Sequence, residues 1–280
     1  MSDGGRRKKR ITVDGITLAY EDYGQGKPVV FVHGVAATSF AWNSVAGMLS
    51  DTCRAVCFDL MGFGDSDKPR KEPYTYKRQA ELLLGAINQL GLERPVLVGH
   101  SLGGGVCLAI LQEMGNAHQK AVSGLVLVDS VCYPQKIPAF IRFLKVPVLP
   151  ALVMKVFPER WGMKYSARSI CKRGMKSENV ETYTRALKSK GAHSSLIATA
   201  KNIIPSNVDG FVSSYSAISV PARIIWGRYD KVIPLELGRR LAQEIETADF
   251  HIIEESGHCP QEERPDEVAR LIRGFLGNQG

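Results

Sequence analysis

Gly99-His100-Ser101-Leu102-Gly103 is the segment of this chain best placed to do chemistry. It follows the apolar run Pro95-Val-Leu-Val98 and precedes a segment of helical period beginning near Leu102. A serine at such a strand-to-helix bend sits in a strained backbone, and glycines two residues to either side let strand and helix approach without a Cβ clash. A serine hydroxyl is a poor nucleophile until a histidine accepts its proton. The histidine in turn needs a carboxylate to fix its tautomer and stabilise the imidazolium. Later in the chain, Asp230 lies in Trp226-Gly-Arg-Tyr-Asp-Lys-Val-Ile-Pro234 and His258 in Glu255-Ser-Gly-His-Cys-Pro260, each just past an apolar run. Asp129, at the end of the run Gly124 to Val128, competes for the role of acid, although it could equally brace the bend by hydrogen bonding. Earlier, His33-Gly34 closes the run Val29 to Val32. The N–H groups of Val35 and Leu102 are then the candidate pair for stabilising an oxyanion, while His33 reads as a loop brace.

These residues need a scaffold that gathers strand ends. Short apolar runs at Ile16 to Tyr20, Pro28 to Val32, Arg54 to Leu60, Pro95 to Val98, Gly124 to Val128, Ala222 to Trp226 and Phe250 to Ile253 read as strands. Segments of helical period lie between them. Tyr76 to Leu90 and Leu102 to Met114 have apolar faces, and Pro234 to Ile245 and Pro265 to Leu276 each open on a proline suited to a first helical turn. This alternation predicts a largely parallel sheet covered by helices. It fails between Pro134 and Ser219, where prolines cut the chain into short helical pieces. An inserted helical cap is expected there, at the strand-end face where open parallel sheets bind ligands.

Composition narrows the class. The 280 residues are 44% apolar and 23% charged, an ordinary globular balance. Six cysteines without close pairing argue against a disulfide-stapled module and for reduced thiols, hence a cytoplasmic protein. The formal charge of +8 is segregated: residues 1–10 carry five Lys/Arg against Asp3, and residues 134–215 carry fourteen Lys/Arg against four Asp/Glu. A basic flexible tail over 1–10 and a basic outer face on the cap are expected, with no nucleic-acid role. A peripheral contact between that face and an anionic lipid surface is a further expectation. The longest strongly apolar segment, Val146 to Met154, is too short to span a bilayer. His118, His193 and His251 are not spaced as metal ligands, so no metal is expected.

The serine elbow, the His33-Gly34 turn, the W-G-x-x-D-x-x-x-P and G-H segments, and Asp59-Leu-Met-Gly-Phe-Gly-Asp-Ser66 occur in the family's order. Over roughly residues 16 to 276 the chain resembles an α/β-hydrolase-fold serine hydrolase with a helical cap, esterase- or lipase-like. The resemblance implies a core of 11–133 and 216–280 with a cap over 134–215. It also implies a catalytic triad of Ser101, Asp230 and His258, an oxyanion hole at Val35 and Leu102, and no cofactor. Gly34, His100, Phe40, Trp42 and Phe63 are the candidate substrate-binding residues. Epoxide hydrolases and haloalkane dehalogenases of this family place a carboxylate at the elbow, so Ser101 disfavours both. Hydrolysis of a small-molecule ester is the leading expectation. A carbon–carbon-bond hydrolase of vinylogous diketones stands second, since a tryptophan commonly follows the final histidine there and this chain has Cys259. A ligand receptor or scaffold on the same fold is the reading from another class.

Overall fold

The computed structural model describes residues 8–113, 121–136, 139–147, 149–156, 159–204 and 207–278. Eight strands form one sheet: β1 (Lys9–Val13), β2 (Ile16–Tyr23), β3 (Pro28–Val32), β4 (Arg54–Phe58), β5 (Val96–His100), β6 (Gly124–Val128), β7 (Ala222–Gly227) and β8 (Ala248–Ile253). Their spatial order is β1-β2-β4-β3-β5-β6-β7-β8, antiparallel for β1–β2 and β2–β4 and parallel from β4 to β8. The chain takes the α/β-hydrolase fold.

The central strands are apolar throughout because both of their faces are covered. Val30, Val32, Leu97, Leu125 and Ile224 belong to a core shared with α2 (Tyr76–Gln89), α3 (Leu102–Glu113) and α10 (Leu235–Glu244). Val29, Phe31, Val96, Val98 and Val126 face the opposite way, into a core built with α1 (Asn43–Leu49) and α12 (Pro265–Gly277). Side chains alternating across each strand thus seal two helical layers against one sheet. From the end of β3 the chain runs to β4 on one side, and from the end of β5 to β6 on the other, so a crevice opens between these two strand ends, where such sheets hold ligands.

Between β6 and β7 the described chain is helical: α4 (Ala139–Lys145), α5 (Leu149–Val156), α6 (Glu159–Ile170), α7 (Ser177–Leu187), α8 (Ala192–Lys201) and α9 (Val208–Ser213). α6 packs along α7, and α4 along α8. Trp161 and Tyr165, 70% and 77% exposed, stand on the outer side of α6 with Lys164 and Arg168. No helix among the described residues is long and apolar enough to cross a membrane.

The edge of the sheet differs from the sequence expectation. Residues 1–7 of the expected tail, like His118, lie outside the described residues, whereas Lys9 and Arg10 begin β1, paired with Tyr20 and Ala19. Lys8 is no solvated cation. Its ammonium sits 2.7 Å from the fully buried Asp59 carboxylate. Charged residues outside an edge strand blunt its unpaired backbone, which is why a strand hides in a run that reads as a tail.

Candidate active site

Four strand ends supply the site. Ser101 immediately follows β5 with φ +51°, a left-handed conformation rare for a side-chain-bearing residue. A Cβ on Gly99 would come within 2.6 Å of Gly103 O and Gly104 Cα, and one on Gly103 within 2.3 Å of Val32 O. Neither contact is tolerable, so both positions require glycine if β5, α3 and the end of β3 are to meet here. The bend is pinned from below, with Ser101 N–H donating to Val128 O at 3.1 Å and Val131 N–H donating to Ser101 O at 3.1 Å.

His258 is reached through the turn after β8. Its backbone N–H donates to Ile170 O at the end of α6 (2.9 Å), and its carbonyl accepts from His100 Nε2 (2.7 Å). Glu263 holds the same turn by accepting from Gly257 N–H and Ser256 Oγ at 2.9 and 3.1 Å. Asp230 follows β7, and its Oδ1 accepts from the N–H groups of Val232 (2.7 Å) and Ile233 (3.0 Å). The three side chains meet in one line. Asp230 Oδ2 lies 2.8 Å from His258 Nδ1, and His258 Nε2 lies 3.1 Å from Ser101 Oγ. Burial alone would push the Asp230 carboxyl up, but the His258 charge and its hydrogen bond, with that from the Ile233 amide, hold it below the usual carboxylate range.

Asp129 takes a different place from the one a competing acid would need. It lies under Asp230 with φ +42°, and its Oδ1 accepts from Gly227 N–H at 3.0 Å. His258 Nδ1 points to Asp230. Among the described residues, Asp129, Asp230 and His258 are the group that by distance could hold a cation, with one ligand atom of each within 4.8 Å of the others. Asp230 Oδ2 and His258 Nδ1 are already given to each other.

At the predicted oxyanion site, Leu102 opens α3, so its N–H is one of the orphan donors of a helix start, and Val35 lies in the wall of the adjoining cavity. Among the described residues neither N–H donates to a backbone acceptor of the protein. His33 braces the loop beneath. Its Nε2 accepts from Leu60 N–H (3.0 Å), which places the proton on Nδ1 for Gly34 O (2.7 Å). Burial lowers its pKa to about 4, so it stays neutral. Asp59 orders the neighbouring loop through the N–H groups of Ser39 and Asp65, at 2.7 and 2.8 Å.

A cavity of about 340 Å³ adjoins Ser101 and His258, walled mainly by apolar side chains of the helical excursion such as Phe143, Met163, Tyr183 and Leu196. Of the expected substrate-binding residues, His100 lies in this wall, with its Nδ1 unpaired and its pKa lowered by burial to about 3. Gly34 touches the site by omission, since a Cβ there would meet His100 Nδ1 at 2.9 Å and Ser101 Cβ at 3.1 Å. The three aromatics stand elsewhere. Trp42, fully buried, packs on Phe31 beneath the sheet (5.2 Å between rings), and Phe63 lies edge-on to His33 (5.6 Å). Phe40 backs Tyr183 from behind at 6.1 Å. An aromatic in a loop after a strand is as readily recruited by the core as by a pocket, and here the core takes them. Of the wall residues that sequence reading missed, Met163 and Tyr183 lie on helices whose buried faces (Met163 and Ala167; Val180 and Tyr183) do not show what they face, and Glu262 lies on the short turn of helix after His258.

The chain is similar to known proteins over most of its length. The sequence profile of the alpha/beta hydrolase family matches residues 29–271. The uncharacterized hydrolase YugF of Bacillus subtilis (strain 168) is 27% identical over 271 residues, covering 96% of this chain and 97% of its own. A 2-hydroxymuconate semialdehyde hydrolase of Pseudomonas putida is 28% identical over 282 residues, covering 96% and 93%. Among solved structures, a thermophilic esterase from Thermogutta terrifontis is 26% identical with a TM-score of 0.78, over 98% of this chain and 99% of that one. With its profile matched over most of its length and its strand-end residues gathered as described, the chain belongs to the alpha/beta hydrolase family.

Proposed function

We propose that this protein is a serine hydrolase that cleaves carboxylic esters of uncharged, small to medium apolar substrates through an acyl-enzyme. The observation that carries the reading is the hydrogen-bonded line Ser101–His258–Asp230 opening onto an apolar cavity. His258 Nε2 takes the Ser101 proton as Oγ attacks the ester carbonyl, and the N–H groups of Val35 and Leu102 hold the oxyanion. The Nε2 proton then passes to the leaving alcohol. A water gives its proton to His258, attacks the acyl carbon, and Ser101 recovers its proton as the acid departs. Asp230 keeps Nδ1 protonated throughout. The helices between β6 and β7 act as the lid that selects the acyl or alcohol group.

Charge in the cavity wall favours esters over carbon–carbon cleavage. Relatives 25–28% identical are hydrolases of 2-hydroxymuconate semialdehyde and of a dienoic acid, the latter a substrate that carries a carboxylate. Here the described wall contains Glu159 and Glu262 and no Lys or Arg, so it offers an anionic substrate no fixed cation. The discriminating experiment is a panel of aryl esters with acyl chains from two carbons upward, run beside a vinylogous diketone acid, with fluorophosphonate labelling of Ser101. Ester turnover with no turnover of the diketone acid is expected. The reverse preference would replace the reading with the carbon–carbon one, and tight retention of ligand without turnover would make the chain a receptor.

A further inference from the structure

Two carboxyl groups meet behind His258, and only one of them has a hydrogen-bond partner at every oxygen. Asp230 Oδ1 accepts two backbone N–H groups, and Oδ2 accepts His258 Nδ1. Asp129 Oδ1 accepts Gly227 N–H, whereas its Oδ2 is fully enclosed, receives no N–H or O–H donor and faces the Asp230 carboxylate. Two acceptors facing each other in a dry pocket need a proton between them. The surrounding titratable groups are Asp230 after β7, His258 after β8, Glu263 on α11 (Pro260–Glu263), and His100, whose ring lies 5.0 Å from that of His258. None is a fixed cation that could neutralise a second carboxylate.

We propose that Asp129 is a positioning residue for the Ser101–His258–Asp230 line: its carboxyl is protonated and donates a hydrogen bond from Oδ2 to the Asp230 carboxylate. This rests on the serine-hydrolase reading. Asp230 is thereby held from three sides, by the amides of Val232 and Ile233, by His258 and by Asp129, so it cannot swing away when His258 becomes charged. Burial first, and then the Asp230 charge, push the Asp129 carboxyl well above its ordinary range, while Asp230 is kept ionised. At the alkaline end Asp129 loses its proton, two carboxylates face each other and the line loosens.

Asparagine is the faithful mimic of a protonated aspartic acid here, since its oxygen can accept Gly227 N–H and its amide can donate to Asp230. Asp129→Asn is therefore expected to keep kcat within about threefold of the unaltered protein and to lose the alkaline decline of the pH–rate profile. Asp129→Ala is expected to lower kcat by about 10- to 100-fold with little change in KM, the cost of a hydrogen bond to a charged group. Infrared difference spectra at about pH 8.5, where Glu262 is ionised, should show a protonated-carboxyl band in the unaltered protein that is missing from Asp129→Asn. A thousandfold loss in Asp129→Asn would show that a carboxylate is needed at 129 and would overturn the proposal. An unaffected Asp129→Ala, or a band that persists in Asp129→Asn, would overturn it as well. The infrared result needs no turnover, so it decides the protonation even if Asp129→Ala fails to fold or the chain hydrolyses no ester.

Discussion

The ends of the sheet and the helices between β6 and β7 solve different problems with different materials. At the sheet ends every group of the Ser101–His258–Asp230 line is buried or nearly so, and each is tied to backbone on at least one side, so its position is over-determined. The helical excursion is built from pieces of six to twelve residues, keeps Trp161 and Tyr165 in solvent and presents its inner faces to the cavity. Helices this short gain their stability from packing, so their placement is free to vary where the sheet's is not. On the proposed function the sheet ends hold the chemistry and the helices choose the substrate, and each variant below should disturb one without the other.

Ser101→Ala should have the largest effect, lowering kcat by at least about 10⁴-fold and abolishing fluorophosphonate labelling with an unchanged melting temperature. The elbow's geometry rests on Gly99 and Gly103, and a hydroxyl contributes little to it. Ester turnover within tenfold of the unaltered protein would end the assignment of chemistry to β5. Asp230→Asn should follow, at about 10⁴-fold in kcat, because an amide leaves His258 with the wrong tautomer. Stopped assays at saturating ester separate this loss from one in KM.

On the other side of the comparison, Met163→Trp on α6 should narrow the cavity without touching the hydrogen-bonded line. Esters of long acyl chains should lose about tenfold in kcat/KM relative to acetate, in keeping with the value of a methylene in an apolar pocket. An equal loss for both chain lengths would mean that α6 positions His258, through Ile170 O, more than it selects substrate.

The same division explains what could be read from the chain alone. The elbow is legible because its constraint is local: Gly99, Ser101 and Gly103 are dictated by contacts within a few residues and one neighbouring strand. Asp230 and His258 are legible because they follow apolar runs that could only be strands. Tyr183 and Glu262 were not, since their role depends on how separate elements dock. Trp42 misleads for a related reason, as the turn at Ser39–Trp42 aims its ring down onto Phe31. β1 was masked by its own cations, since Lys9 and Arg10 read as edge charges only once they are seen paired with Tyr20 and Ala19 of β2.

The smallest effect tests the seam between the two regions. Glu262 on α11 belongs to the core yet lines the cavity, and its Oε2 accepts Asn179 Nδ2 from α7 at 2.7 Å. Burial raises its pKa to about 7, against the hydrogen bond from Asn179, which pulls it down. Below the ordinary glutamate range folded and unfolded chains both hold the proton, so nothing is gained or lost. Between that range and about pH 7 the folded chain holds a proton that the unfolded chain has released, and stability falls as pH rises until the folded group also ionises. Above about 7 the full penalty persists as a charge in an apolar wall, on the order of 1–3 kcal/mol once screening by water in the cavity is allowed for. Glu262→Gln keeps an acceptor for Asn179 and carries no charge. It should melt with the unaltered protein at pH 4 and several degrees above it at pH 8, as scanning calorimetry across that range would show. Parallel curves at every pH would mean that Glu262 ionises freely against cavity water, and that the seam is wetter than the sheet ends it joins.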